Sequence, residues 1–132
     1  MKYVQNDVFI PVDGKGPLLV RDTDHGAEEE HQATVGELLK MVLASYQPQQ
    51  GRQLNTAAEI RSFNKCMDVI EKGPQDGDWY RFEDSDFKAL VRVVEWVLPN
   101  MWGKDGRQLW RNTPEVLALL EKSPEAVPVK GA

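Results

Sequence analysis

The stretch Phe82–Met101, FEDSDFKALVRVVEWVLPNM, decides the fold of this 132-residue chain. Asp84-Ser85-Asp86 opens a run of apolar residues that Pro99 closes. At about 100° per residue, Phe87, Leu90, Val91, Val94, Val97, Leu98 and Met101 share one face of a helix. Ala89, Val93 and Trp96 carry that surface round to the far side. Lys88, Arg92 and Glu95 make the only clear polar stripe. A helix this apolar must be wrapped by its own chain or share a face with another one. The spacing predicts a central helix over 85–98, with Asp84 and Asp86 favouring its start by capping and by the helix dipole.

Working outward, Thr34-Val35-Gly36-Glu37 matches a capping box and predicts a helix over 35–47, stopped by Pro48, with Val35, Leu38, Leu39, Val42, Leu43 and Tyr46 inward. A second box at Thr56-Ala57-Ala58-Glu59 predicts a helix over 57–72. Its face is Ile60, Phe63, Met67 and Ile70, and Gly73-Pro74 ends it. Trp79–Phe82 has the aromatic content of a short strand, one that could add to the N-terminal hairpin. Arg107–Asn112 reads as a helical turn. Thr113-Pro114-Glu115 then starts a last helix, with Thr as cap and Pro at the first position. At the amino end, residues 3–12 alternate loosely, Asp13-Gly14-Lys15-Gly16-Pro17 is a turn cluster, and 18–20 read as a return strand. That hairpin must pack on the helices, because a lone one is marginal in water. The expectation is an α+β fold, mainly helical, with an N-terminal β-hairpin on about four α-helices and the long helix at the centre. Residues 1–122 form one compact domain, and 123–132 read as a loose tail.

The net charge of −5, from 21 acidic and 16 basic residues, argues against unassisted nucleic-acid binding. One cysteine, Cys66, allows no internal disulfide and no cysteine-rich zinc site. It sits on the flank of the second helix's apolar stripe with no histidine near it in sequence, so an inert packing role is expected. No apolar run approaches the roughly 18 to 20 residues of a membrane span. Gln5, Asn6 and Asp7 interrupt any secretory signal. The expected compartment is the cytoplasm, with no cofactor and no metal.

Two surfaces stand out as candidates. Residues 21–33 hold Asp22, Asp24, Glu28, Glu29 and Glu30 with no base after Arg21, which reads as a solvated acidic loop or an acidic docking surface. His25 and His31 flank its glutamates, but their spacing matches no familiar metal site. The other candidate is protein-binding: Arg92, Val93 and Trp96 on the long helix, with Trp102, Arg107 and Trp110 beyond it. Arg92 lies one turn from Trp96, and such aromatic–arginine pairs concentrate at binding hot spots. Lys104, Arg107, Arg111 and the nearby tryptophans would also suit single-stranded nucleic acid. Against both stands burial of the tryptophans in the core. Asp84 with Asp86, and Asp13-Gly14-Lys15-Gly16, are accounted for by a helix start and a turn, not by acid–base or phosphate chemistry.

The order of elements resembles small proteins encoded by tailed bacteriophages and prophages. The resemblance runs over roughly residues 4–122. It rests on Asp13-Gly14-Lys15, Thr34-Val35-Gly36-Glu37-Leu38-Leu39, the Phe82–Leu90 acidic cap and helix, and Leu119-Leu120-Glu121. The 22–33 loop and Trp96, Trp102 and Trp110 depart from it. The resemblance implies a viral accessory protein without enzymatic activity. Its partner would be a host factor or a second copy of the chain, in the cytoplasm of a bacterial host. The alternatives are a role in virion morphogenesis, with virion association, and a nucleic-acid-associated regulator.

Overall fold

The computed structural model describes residues 1–9, 19–22, 29–48, 51, 53–100 and 112–127, with 19–22 and 29–32 described by backbone alone. Among the described residues, four strands and four α-helices follow in the order β1 (Lys2–Gln5), β2 (Leu19–Asp22), β3 (Glu29–Gln32), α1 (Val35–Ala44), α2 (Ala57–Lys72), β4 (Trp79–Phe82), α3 (Asp84–Val97) and α4 (Thr113–Glu121). A 3-10 turn, Leu98–Asn100, continues α3. The protein is a mainly helical α+β fold with an antiparallel hairpin in its N-terminal part, as its sequence implies.

The hairpin's strands differ from those expected. β2 pairs antiparallel with β3, from Leu19 opposite Gln32 to Asp22 opposite Glu29. The segment 29–32, expected to be loop, is therefore strand. β1 instead pairs with β4, some 75 positions away, with Lys2 opposite Phe82 and Gln5 opposite Trp79. The expected turn at 13–17 and Pro11 lie outside the described residues. Alternation explains the distant choice: Val4, Tyr80 and Phe82 are buried, so the β1–β4 pair turns one face onto the helices. After Asn6 the chain changes partner. The Val35 amide donates to the Asp7 carbonyl at 2.8 Å, and the Phe9 amide donates to the Ala33 carbonyl at 2.9 Å.

Both predicted caps are present, one in full. Thr34 Oγ1 accepts from the Glu37 amide and the Glu37 carboxylate accepts from the Thr34 amide, a complete box. Thr56 Oγ1 accepts from the Glu59 amide, but the Glu59 carboxylate takes the Thr56 hydroxyl and Arg92, so the second box is half made. The start of α3 has no side-chain cap; Glu83 is the cap residue. Asp84 pairs at 2.8 Å with the Met1 amine, which holds its carboxyl below the usual range, and Asp86 is buried. The α4 boundary also moves by one: Asn112 is the cap residue and Thr113 the first helical one.

α3 packs on α1, α2 and α4. Phe87, Ala89, Leu90, Val93, Val94, Val97 and Leu98 are all buried, while Lys88, Arg92 and Glu95 remain exposed. The helix is thus covered by its own chain everywhere except along the exposed stripe of Asp84, Ser85, Lys88, Arg92 and Glu95. On α2 the inward stripe is Phe63, Cys66 and Ile70, and Ile60, expected inside, is 48% exposed. Cys66 is fully buried where its thiol donates to the Asp86 carbonyl of α3 at 3.0 Å. Ser123–Val127, expected to be loose, begins pinned: the Tyr3 amide donates to the Pro124 carbonyl at 3.0 Å, and Ser123 is buried. Residues 128–132 lie outside the described residues.

Gly36 explains why the first cap needs glycine. A Cβ there would stand 2.1 Å from Tyr80 Oη and 2.9 Å from Asn6 Oδ1, the atom that accepts the Gly36 amide. Tyr80 is buried and cannot step aside. Helix propensity alone would make Gly36→Ala stabilising by up to about 1 kcal/mol. The clash reverses the sign, and we expect a loss of about 1–3 kcal/mol in urea unfolding. Adding Tyr80→Phe should recover part of it, because the nearest atom disappears. A Gly36→Ala protein as stable as wild type would show that the Tyr80 contact is not what fixes this glycine.

Candidate functional site

Three elements bring their aromatic residues together at one end of the helical layer. Tyr46 follows α1, Phe63 lies on α2 and Trp96 on the last turn of α3. The Tyr46 and Phe63 rings are tilted with centroids 5.3 Å apart; Tyr46 and Trp96 are stacked at 6.1 Å. All three are half-buried. Tyr46 is placed by its hydroxyl, which accepts the Leu54 amide at 3.0 Å. The Asn100 side chain donates to the Trp96 carbonyl at 2.7 Å, securing the end of α3 as it turns into the 3-10 segment.

The Arg92 guanidinium lies over the Trp96 ring, 5.0 Å from its centroid, and hydrogen-bonds Glu59. The ring is therefore flanked by Tyr46 and Arg92. This hydrogen bond, seconded by Thr56, holds the Glu59 carboxyl below its ordinary range. The exposed edge of α2 beside the cluster carries Ile60, which with Met1 and Val8 makes up the exposed large hydrophobics among the described residues.

Of the residues the sequence singles out for protein binding, Arg92 and Trp96 meet here. Val93 does not: it is fully buried, so its side chain cannot touch a partner. The reason is that the reverse side of α3 is covered within the chain. Trp102, Arg107 and Trp110 lie outside the described residues, as do Lys104 and Arg111. The acidic candidates divide: Asp22 falls in β2, and Glu29 and Glu30 in β3, with Asp22 in register with Glu29 and Arg21 with Glu30. Asp24, His25 and Glu28 lie outside the described residues, and His31 is in β3. Sequence periodicity missed Tyr46, Phe63 and Ile60 as members of a surface cluster, because each reads as an inward position of its own helix.

Cys66 has no catalytic setting. It is fully buried, and burial, with the Asp86 charge added, pushes its thiol up to about 12. The thiolate needed for nucleophilic chemistry is strongly disfavoured there. Among the described residues no group of three or more His, Cys, Asp or Glu is arranged to hold a metal ion. No described helix is long and apolar enough to cross a membrane. Compared with known protein families, curated proteins and solved structures, the chain matches none.

Two outcomes follow from these environments. The folded-state pKa of Glu59 is depressed, so the Arg92–Glu59 pair contributes stability above the ordinary carboxylate range and loses it as pH falls through the depressed value. Arg92→Ala should raise the Glu59 midpoint in a carboxylate NMR titration, and an unmoved midpoint would rule out Arg92 as its main cause. Cys66 should react with a thiol reagent only at the rate of global opening, accelerating with denaturant; fast modification of the native protein would contradict its enclosure.

Proposed function

We propose that this is a non-enzymatic accessory protein of the tailed-phage kind its layout resembles, acting by binding another protein through the Tyr46–Phe63–Trp96 cluster. The observation that carries this reading is the half-buried Trp96 ring, with Arg92 over it and exposed Ile60 on the neighbouring helix. Trp, Tyr and Arg are the residues most enriched where binding energy concentrates. Here Leu54 holds Tyr46, Glu59 holds Arg92, and the Trp96 ring lies between those two, so little side-chain freedom remains to be lost on association. The partner is a host protein or a second copy of the chain. The virion-assembly alternative draws on the β2–β3 ribbon, whose β3 strand carries Glu29 and Glu30 and would suit a basic extended segment added at an edge.

The test uses exposed residues, so that folding and binding separate. Ile60→Asp should keep the wild-type melting transition, because its side chain is about half exposed, whereas Arg92→Glu, which sets a carboxylate against Glu59, should lower it slightly without unfolding the domain. Each should weaken capture of a partner from host extract, or shift the sedimentation of a self-associated form to monomer, by roughly tenfold or more in affinity. Capture undiminished in both variants would remove this surface from consideration. Co-purification with particles would favour the assembly alternative.

A further inference from the structure

A second place in the molecule, apart from the aromatic cluster, has the features of a small-molecule site. It is a groove of about 400 Å³ between β1 and α4, where the N-terminal strand changes partner from β4 to the 33–35 segment. Tyr3, Phe9, Trp79 and Leu119 give it apolar walls. That volume lies within the usual range for ligand pockets, which combine such walls with a few polar groups.

The polar groups are unusual in having no partner. Glu115 Oε2 and Ser123 Oγ are both buried and make no hydrogen bond. Ser123 is only 9% exposed overall. Both residues line the groove. Buried polar atoms are nearly always satisfied, so two orphans on one cavity wall call for a hydrogen-bond donor from the occupant. The charge balance defines that donor further. Asp7 and Glu115 line the groove against a single ammonium, Lys122. Asp7 Oδ1 already accepts the Val8 amide at 2.8 Å, whereas Glu115 Oε2 is buried without a partner. Glu115 and Ser123 stand eight positions apart along α4 and its end, roughly 12 Å by helical rise. Leu119 lies between them.

We propose that the β1–α4 groove binds an elongated primary amine. Its ammonium meets Glu115, its aromatic or aliphatic body lies over Leu119 between Tyr3 and Trp79, and a hydroxyl or amide at its far end meets Ser123. The terminal torsion of Glu115 is soft, so its carboxylate turns to meet the ammonium without disturbing α4. The ammonium comes from a free small molecule or from a lysine side chain of a peptide; the chemistry at Glu115 is the same.

The test follows the Trp79 indole N–H by NMR on the full chain. Three probes are titrated: tyramine, its neutral counterpart 4-ethylphenol, and the blocked dipeptide acetyl-Lys-Tyr-amide. Tyramine or the dipeptide should shift Trp79 with an affinity roughly tenfold or more above that of 4-ethylphenol, the margin expected of a charge-assisted contact. Glu115→Gln should erase that margin while leaving the weak binding of 4-ethylphenol in place. Ser123→Ala should weaken the amine by a smaller factor. A response to tyramine identifies a free amine as the source, and a response to the dipeptide alone identifies lysine. Absence of any Trp79 shift, or equal affinity for charged and neutral probes, overturns the proposal. The retained 4-ethylphenol response shows that Glu115→Gln is folded, and Ser123→Ala supplies an independent second variant.

Discussion

Enclosure of α3 is the constraint on which the rest of the structure depends. A helix with only Lys88, Arg92 and Glu95 as a clear polar stripe has little surface to offer water, and each buried aliphatic side chain contributes about 1.5–3 kcal/mol only if something covers it. The surrounding elements are arranged to do so. α1 and α2 lie on it, α4 closes against it, and the β1–β4 pair adds Phe82, whose ring is 6.4 Å from that of Phe87. The long-range pairing of β1 with β4 follows from the same demand. β4 enters α3 directly, so a strand paired to it brings Val4 into the core.

The elements were most legible where local chemistry and burial agree. α2 has the bounds its cap and Gly73-Pro74 imply, and the Thr34–Glu37 box forms in full. Where a competing long-range contact exists, local reading fails. Glu59 turns to Arg92 and leaves its box half made. Asp84 answers to Met1 rather than to the helix amides. The 18–20 strand finds its mate at 29–32, in a segment whose charges read as solvated loop, because pairing depends on backbone groups that charge composition does not report. Gly36 is the clearest case of a motif whose reason is tertiary: its need for a bare Cα comes from Tyr80, 44 positions away.

The candidate site was legible only in part, for a related reason. The Arg92–Trp96 contact is local, one helical turn, and its geometry follows from spacing. Tyr46 and Phe63 come from other helices, and each looks like an ordinary core position until the three helix ends meet. Val93 shows the reverse error. Its place on the far side of α3 suggested a partner, but the chain supplies its own cover.

The aromatic cluster and the groove differ in what holds them. Every polar atom named in the cluster is matched: Tyr46 by Leu54, Trp96 by Asn100, Arg92 by Glu59. It is a surface preformed for apolar and stacking contact, and discrimination there must come from shape and from the edge charges. The groove has the opposite character, with apolar walls satisfied by packing and polar atoms left without partners. Unmatched acceptors discriminate strongly, since an occupant lacking the donor leaves them buried and unpaired. On the two proposals, a broad protein surface would be met at the aromatic cluster and a defined chemical group beside β1. Because α4 packs against α3 and also lines the groove, the helix that completes the core sets the groove's shape as well.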